Sequence, residues 1–179
     1  MYKYQEAGQG EFKWEVLGSV EEGRTNLGNQ MSVYSYRLFQ YAIKNVLNEV
    51  LDPEKAMEIF RKAGYLSGKA FSGQFLNKEQ DFNQFVAQLQ QVLREQMIGI
   101  LRVEEADLDK LHLVLTVAED LDCSGLPVTD ESVCDFDEGF IAGILSYYTG
   151  QEFDVEEIDC WATGGRVCRF DVQLKSDEA

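Results

Sequence analysis

The chain has 179 residues, 45% of them apolar, and a formal net charge of −16 from 32 acidic and 16 basic side chains. Length and apolar content suit one compact domain, which at this size buries roughly 70% of its unfolded surface. The acidic balance argues against nucleic acid, whose binding rests on Lys and Arg neutralising phosphates, and against an anionic membrane surface for the same reason.

Taken in chain order, the first ten residues, MYKYQEAGQG, are polar and Gly-rich and read as an extension. No basic start leads into an apolar stretch, and no run approaches the roughly 18 apolar residues of a membrane span. A cytoplasmic location follows as the expectation, one in which thiols stay reduced and disulfides are uncommon. Phe12, Trp14 and Val16 alternate, which predicts one strand. EEGRTNLGNQ then holds two Gly and two Asn and reads as a loop. Ser32 is the predicted N-cap of a first helix, along which Val33, Tyr36, Leu38, Phe39, Ile43, Val46, Leu47 and Val50 form a wide apolar stripe. Asp52-Pro53 starts a second helix, with Asp as N-cap and Pro at the first helical position. Gly64 and Gly68 sit four apart inside it; each costs up to ~1 kcal/mol against Ala, so a close helix–helix contact is expected there.

Phe82, Phe85, Val86, Leu89, Val92 and Leu93 mark a third helix starting near Asp81. The period then changes to two: IGILRVEEAD and KLHLVLTVAED predict an antiparallel pair of strands joined by a short turn. A loop, DCSGLPVTDES, precedes a fourth helix from CDFDEGF that Gly150 closes. EFDVEEIDCWAT and RVCRFDVQL make a last hairpin around Gly164-Gly165. Helices grouped ahead of a small antiparallel sheet indicate an α+β fold, with the fourth helix between two β-hairpins. The domain is expected over residues 24–175, after an extension at 1–23 with one strand and before a tail at 176–179.

The four cysteines, Cys123, Cys134, Cys160 and Cys168, all lie in the last third. Clustered thiols in a reducing compartment point to metal more than to redox work, although no CxxC occurs. A three-residue loop, Thr163-Gly164-Gly165 with Gly165 left-handed, would set Cys160 opposite Cys168. Directly opposed Cβ atoms are about 4.5–5.5 Å apart, wide for a relaxed disulfide and suited to two thiolates sharing a zinc. Composition alone nominates a site of four cysteines.

The stretch from Cys134 to Asp171 resembles the 4-vinyl reductase domain family, through VCDFDEGFIAGIL with Gly139 and Gly143 and through the Glu-x-x-Cys-x7-Cys of VEEIDCWATGGRVCRF. RTNLGNQMSVYSYRLFQYAI and the helix holding Gly64 and Gly68 look like the family's helical N-terminal part. The resemblance implies a structural zinc on three Cys and one Glu, here Cys134, Glu157, Cys160 and Cys168. It leaves Cys123 as the odd thiol, or as the fourth ligand in place of Glu157. Glu157 and Cys160 are three apart, so a regular strand would turn them to opposite faces, and a bulge near Asp159 would bring them together. Such a site is closed by protein and reads as a staple, not as a catalytic metal.

The sole histidine, His112, lies on a predicted strand with no convergent partner in view. Glu104, Glu105, Asp107, Asp120, Asp122, Asp130 and Glu131 read as a solvated acidic surface. No phosphate-loop glycine pattern occurs. A ligand pocket is expected on Phe85, Leu111, Leu113, Leu115 and Phe140. The family's phenol sensors hold a hydroxyl with a His and a Trp, and this chain carries Leu and Phe at the corresponding places, which implies a more hydrophobic ligand. The resemblance therefore implies a non-catalytic sensor or carrier for a hydrophobic or aromatic molecule, acting as a homodimer or through a protein partner. A tetrapyrrole-related accessory or vinyl reductase, and a scaffold like the trafficking-complex subunits of similar fold, are the competing readings.

Overall fold

The computed structural model describes residues 12–176. Its elements are α1 (Val20–Gly23), α2 (Val33–Val50), α3 (Pro53–Phe75), α4 (Phe82–Glu95), β1 (Ile100–Asp107), β2 (His112–Ala118), α5 (Asp135–Thr149), β3 (Phe153–Asp159) and β4 (Cys168–Leu174). The fold is α+β: five helices and one four-stranded antiparallel sheet in the order β1-β2-β4-β3. The first eleven residues and the last three lie outside the described part, so the expected extension and tail are described only from Phe12 and up to Ser176.

Local chemistry explains the helix boundaries. The side chains of Ser32, Asp52 and Asp81 accept the backbone N–H of Tyr34, Lys55 and Gln84, which would otherwise be orphaned in the first turns of α2, α3 and α4. Gly150 ends α5 at φ 74°, the left-handed conformation that costs a residue without Cβ nothing. Two expectations fail near the start. Trp14–Leu17 is a 3-10 turn and not a strand, with Trp14 edge-on to Phe75 at 5.2 Å between ring centroids. The segment expected as loop opens with the single turn of α1. Alternation over so few residues had no neighbouring strand to pair with, and an aromatic contact with α3 took its place.

The sheet packs one face against α4 and α5. Leu101, Leu113, Leu115, Val117, Phe170 and Val172 meet Phe85, Leu89, Leu93, Ile141, Ile144 and Leu145 in one continuous core. On the other face Thr116 pairs with Arg169 and Val114 with Asp171, under the Arg169–Glu104 and His112–Asp171 ion pairs. Long polar side chains thus shield a strand buried on both sides.

Helix α3 lies across α5 with its backbone nearly touching. A Cβ on Gly64 or Gly68 would overlap the Phe136 or Phe140 carbonyl, and one on Gly139 or Gly143 would overlap that of Arg61 or Tyr65. The expected close contact at Gly64 and Gly68 is therefore answered by a second glycine pair. The buried positions of α3, Ala56, Phe60, Gly64, Gly68 and Phe71, follow a four-residue row.

Helix α2 reverses its expected orientation. None of its residues is buried, and its apolar stripe faces outward, with Leu38 75% and Phe39 68% exposed. Its polar side turns inward onto the loop between β2 and α5.

Candidate functional site

Four segments converge at one end of the sheet, and each brings a cysteine. Cys123 lies in the loop after β2, where Asp120 Oδ1 accepts the backbone N–H of Asp122 at 2.7 Å and of Cys123 at 3.1 Å. This turn, closed by an aspartate, fixes the thiol's direction. Cys134 is the N-cap residue of α5, Cys160 follows β3, and Cys168 opens β4. All four are buried, and their sulfurs lie within 4.8 Å of one another.

The register behind this is close to the expected one. Asp159 pairs with Arg169, so Cys160 and Cys168 occupy the next rung, just past the end of the ladder. The connection differs. Trp161–Thr163 forms a 3-10 turn, the left-handed glycine is Gly164 at φ 93°, and the rungs Ala162–Arg166 and Trp161–Val167 do not form. Gly165 N–H bonds back to the Cys160 carbonyl at 2.9 Å, which holds the turn closed. A register shift between Glu157 and Asp159 supplies the bulge, pushing Ile158 to solvent and leaving Glu157 and Cys160 both buried.

Zinc–sulfur bonds of about 2.3 Å set the sulfurs of a tetrahedral site about 3.8 Å apart. The Sγ atom of Cys134 lies 3.9 Å from that of Cys160 and 3.8 Å from that of Cys168; Cys123 lies closer to Cys168, at 3.0 Å. Crowded thiols perturb one another: contacts with Cys123 foremost push Cys134 and Cys168 upward and hold Cys160 well below the usual thiol range. Glu157 stands beside them. Its Oε2 accepts the Cys134 N–H at 3.3 Å, while its Oε1 is buried without a partner. Burial foremost raises its carboxyl to about 8. Four buried thiols at these spacings, with an orphaned carboxylate oxygen next to them, fit a bound metal ion. Cys123, unassigned by the expected ligand set, is inside the cluster.

The expected pocket residues divide. Leu115 and Phe140 line a cavity of about 40 Å³ between the sheet, α4 and α5, together with Leu89, Leu93, Ile141 and Ile144. Leu111 and Leu113 line a second apolar recess of about 210 Å³, with Phe82, Tyr148 and Phe153. Phe85 lines neither; it is fully buried and stacked on Tyr148 at 4.1 Å.

Two acidic residues also line the first cavity, Asp120 and Asp137. Asp120 and Asp122 correct the expectation of a solvated surface, since they are 4% and 3% exposed. Burial foremost, then the charge of Asp122, raises Asp120 to about 7. Asp137 is raised well above the carboxylate range, again by burial first and then by Asp120 and Asp122. Asp122 is matched by α2: Tyr36 Oη donates to it at 2.8 Å and Gln40 Nε2 at 2.6 Å. Arg37 spans the carbonyls of Asp120, Leu121 and Ser124, and Lys44 reaches the Val133 carbonyl and Asp135. The polar face of α2 thus clamps the loop that carries Cys123. A signal for Asp137 was present in the sequence, because it shares a helix face with Phe140, Ile141 and Ile144 at spacings of three, four and seven. His112 bonds Asp171 at 2.7 Å on the outer face of the sheet and lines neither apolar cavity.

Known proteins resemble this chain at the level of both sequence and fold. The 4-vinyl reductase domain family matches residues 113–174. Two uncharacterized proteins of Methanocaldococcus jannaschii are similar, at 27% identity over 104 residues and 24% over 111. The matches cover 58% and 62% of this chain and only 62% and 63% of those proteins, so under two thirds of either relative's length is spanned. Among solved structures, a vinyl-4-reductase family protein from Methanocaldococcus jannaschii superposes with a TM-score of 0.60 at 18% identity, covering 98% of both chains. The phenol-responsive sensory domain of the transcription activator PoxR, solved with phenol, gives 0.58 at 14% identity over 83% of this chain and 78% of that one. A trafficking protein particle complex subunit 3 from Naegleria fowleri, covalently bound to palmitic acid, gives 0.60 at 13% identity over 81% and 98%. At these identities the structures share the fold. From the start of the buried strand β2 to the end of β4, the stretch that holds all four cysteines, the chain carries a 4-vinyl reductase domain, the family its Cys134–Asp171 motifs resemble.

Proposed function

We propose that this protein is a non-catalytic sensor or carrier domain that takes a small, largely apolar molecule into the cavity between the sheet, α4 and α5. The observation that carries the reading is the cavity itself: apolar on nearly every side, within the core, and bounded by Leu115 and Phe140. At roughly 10–15 Å³ per water its 40 Å³ equals about three waters, or some 90 Å³ of liquid, close to one small ring. The sensory domain solved with phenol supports a ligand of this size in the same fold.

The domain is stapled by a structural zinc. Cys134, Cys160 and Cys168 hold it, and Cys123 completes a tetrahedron of thiolates, the sulfur spacings being its support. Glu157 is the competing fourth ligand, favoured by the family resemblance and by its orphaned oxygen. Bound there, zinc supplies cross-linking of four chain segments and neutralises the thiolates. X-ray absorption decides the ligand set: four sulfurs in the first shell for Cys123, three sulfurs and one oxygen for Glu157.

A homodimer through α2 belongs to the same reading, because the uncharged outer stripe of Leu38, Phe39, Ala42 and Val46 faces solvent. Native mass spectrometry of the purified protein tests all three parts together. One zinc per chain, a co-purified small molecule or a shift with added ring compounds, and a dimer mass are expected. A metal-free folded monomer would sink the reading. Among the described residues no helix is long and apolar enough to cross a membrane.

A further inference from the structure

The cavity has one polar end, and that end is anionic. Asp120 closes it from the end of β2 and Asp137 from the first turn of α5. A carboxylate oxygen of each lies within 4.8 Å of the other and of Cys134 Sγ. The neighbouring acids of that turn have cations: Asp135 meets Lys44 at 2.8 Å, and Glu138 meets Arg61. Asp137 has none among the described residues, and its Oδ2 is buried with no hydrogen-bond partner. Asp120 spends Oδ1 on two backbone N–H groups of its own loop. Every other lining residue is aliphatic, aromatic or glycine, so no donor inside the cavity serves Asp137.

A purely hydrocarbon ligand would leave this pair as it is, and a buried acceptor without a donor costs about 1–3 kcal/mol. A hydroxyl brings one donor. An ammonium brings three donors and the opposite charge, and charge-assisted bonds to carboxylate are roughly twice as strong as neutral ones. The spacing also suits it, since one nitrogen can stand within hydrogen-bond distance of both carboxylates. Resting on the cavity reading above, we infer that the ligand is a compact apolar amine, its ammonium bridging Asp120 and Asp137 and its hydrocarbon body lying against Leu115, Phe140, Ile141 and Ile144.

The test uses three probes of one shape and six heavy atoms: cyclopentylamine, cyclopentanol and methylcyclopentane, titrated by calorimetry into the zinc-loaded protein. The amine should bind at least tenfold more tightly than the alcohol, and the hydrocarbon most weakly. Asp137→Asn should remove at least tenfold of the amine's advantage and leave methylcyclopentane within twofold. The wild-type ranking stands on its own if that variant does not fold. Equal binding of all three, or preference for the hydrocarbon, overturns the amine and keeps the cavity reading. No binding by any of them overturns both. Two metal ions per chain by native mass spectrometry would give the carboxylate pair to a metal and overturn the amine as well.

Discussion

Helices α5 and α2 are of similar length, 15 and 18 residues, and meet the rest of the chain in opposite ways. Helix α5 is buried along most of its length and touches α3 backbone to backbone, because Gly139 and Gly143 face Gly64 and Gly68. Helix α2 buries nothing and is held by side-chain hydrogen bonds from Tyr36, Arg37, Gln40, Tyr41 and Lys44 to one loop and the start of α5. The first contact is shape, which tolerates no added atom; the second is a set of directional bonds that converge on Asp120, Asp122 and the loop bearing Cys123. Close packing makes α5 the rigid wall of the cavity. Polar clamping ties α2 to the metal loop while leaving its apolar side free for a partner.

Four measurements break or sharpen this contrast. Removing the metal strikes where both regions meet. Chelation or Cys168→Ser should cost several kcal/mol, since a structural zinc contributes its binding energy to folding, and should appear as a collapse of the thermal transition. Next, Gly139→Val should destabilise by about 3–5 kcal/mol or abolish soluble expression, because its Cβ would overlap the Arg61 carbonyl and neither backbone can withdraw. Urea denaturation measures it, and a loss under about 1 kcal/mol would mean the helices do not touch there. Asp122→Ala should cost about 1.5–3 kcal/mol, the worth of hydrogen bonds to a charged acceptor. The loss should be local: hydrogen exchange should rise along α2 and stay unchanged in α5. Last, Leu38→Glu with Phe39→Glu should leave the unfolding midpoint of the monomer within ~0.5 kcal/mol while the dimer mass in light scattering is lost. A dimer that survives both glutamates would move the interface elsewhere.

What could be read from the chain follows the range of the interaction. The caps Ser32, Asp52 and Asp81, the stop at Gly150, the change from helical to strand period near Ile100 and the hairpin that sets Cys160 against Cys168 all depend on residues a few positions apart, so sequence alone determined them. The bulge before Asp159 was legible for a related reason: buried Glu157 and Cys160, three apart, cannot share a face without one. The strand expected at Phe12–Val16 failed because alternation says nothing of whether another strand is within reach. Helix α2 shows the same limit on a larger scale. Its periodicity marked an apolar stripe correctly, but which side would turn inward depended on a loop distant in sequence, whose carbonyls and Asp122 needed donors. Tertiary structure alone decided that Asp120, Asp122 and Asp137 are buried, that Cys123 joins the thiol cluster, and that the expected pocket divides into a cavity and a recess. Each of these arises where segments distant in sequence pack together, and there burial, not residue type, determines whether an acid is a solvated surface charge or the polar end of a binding site.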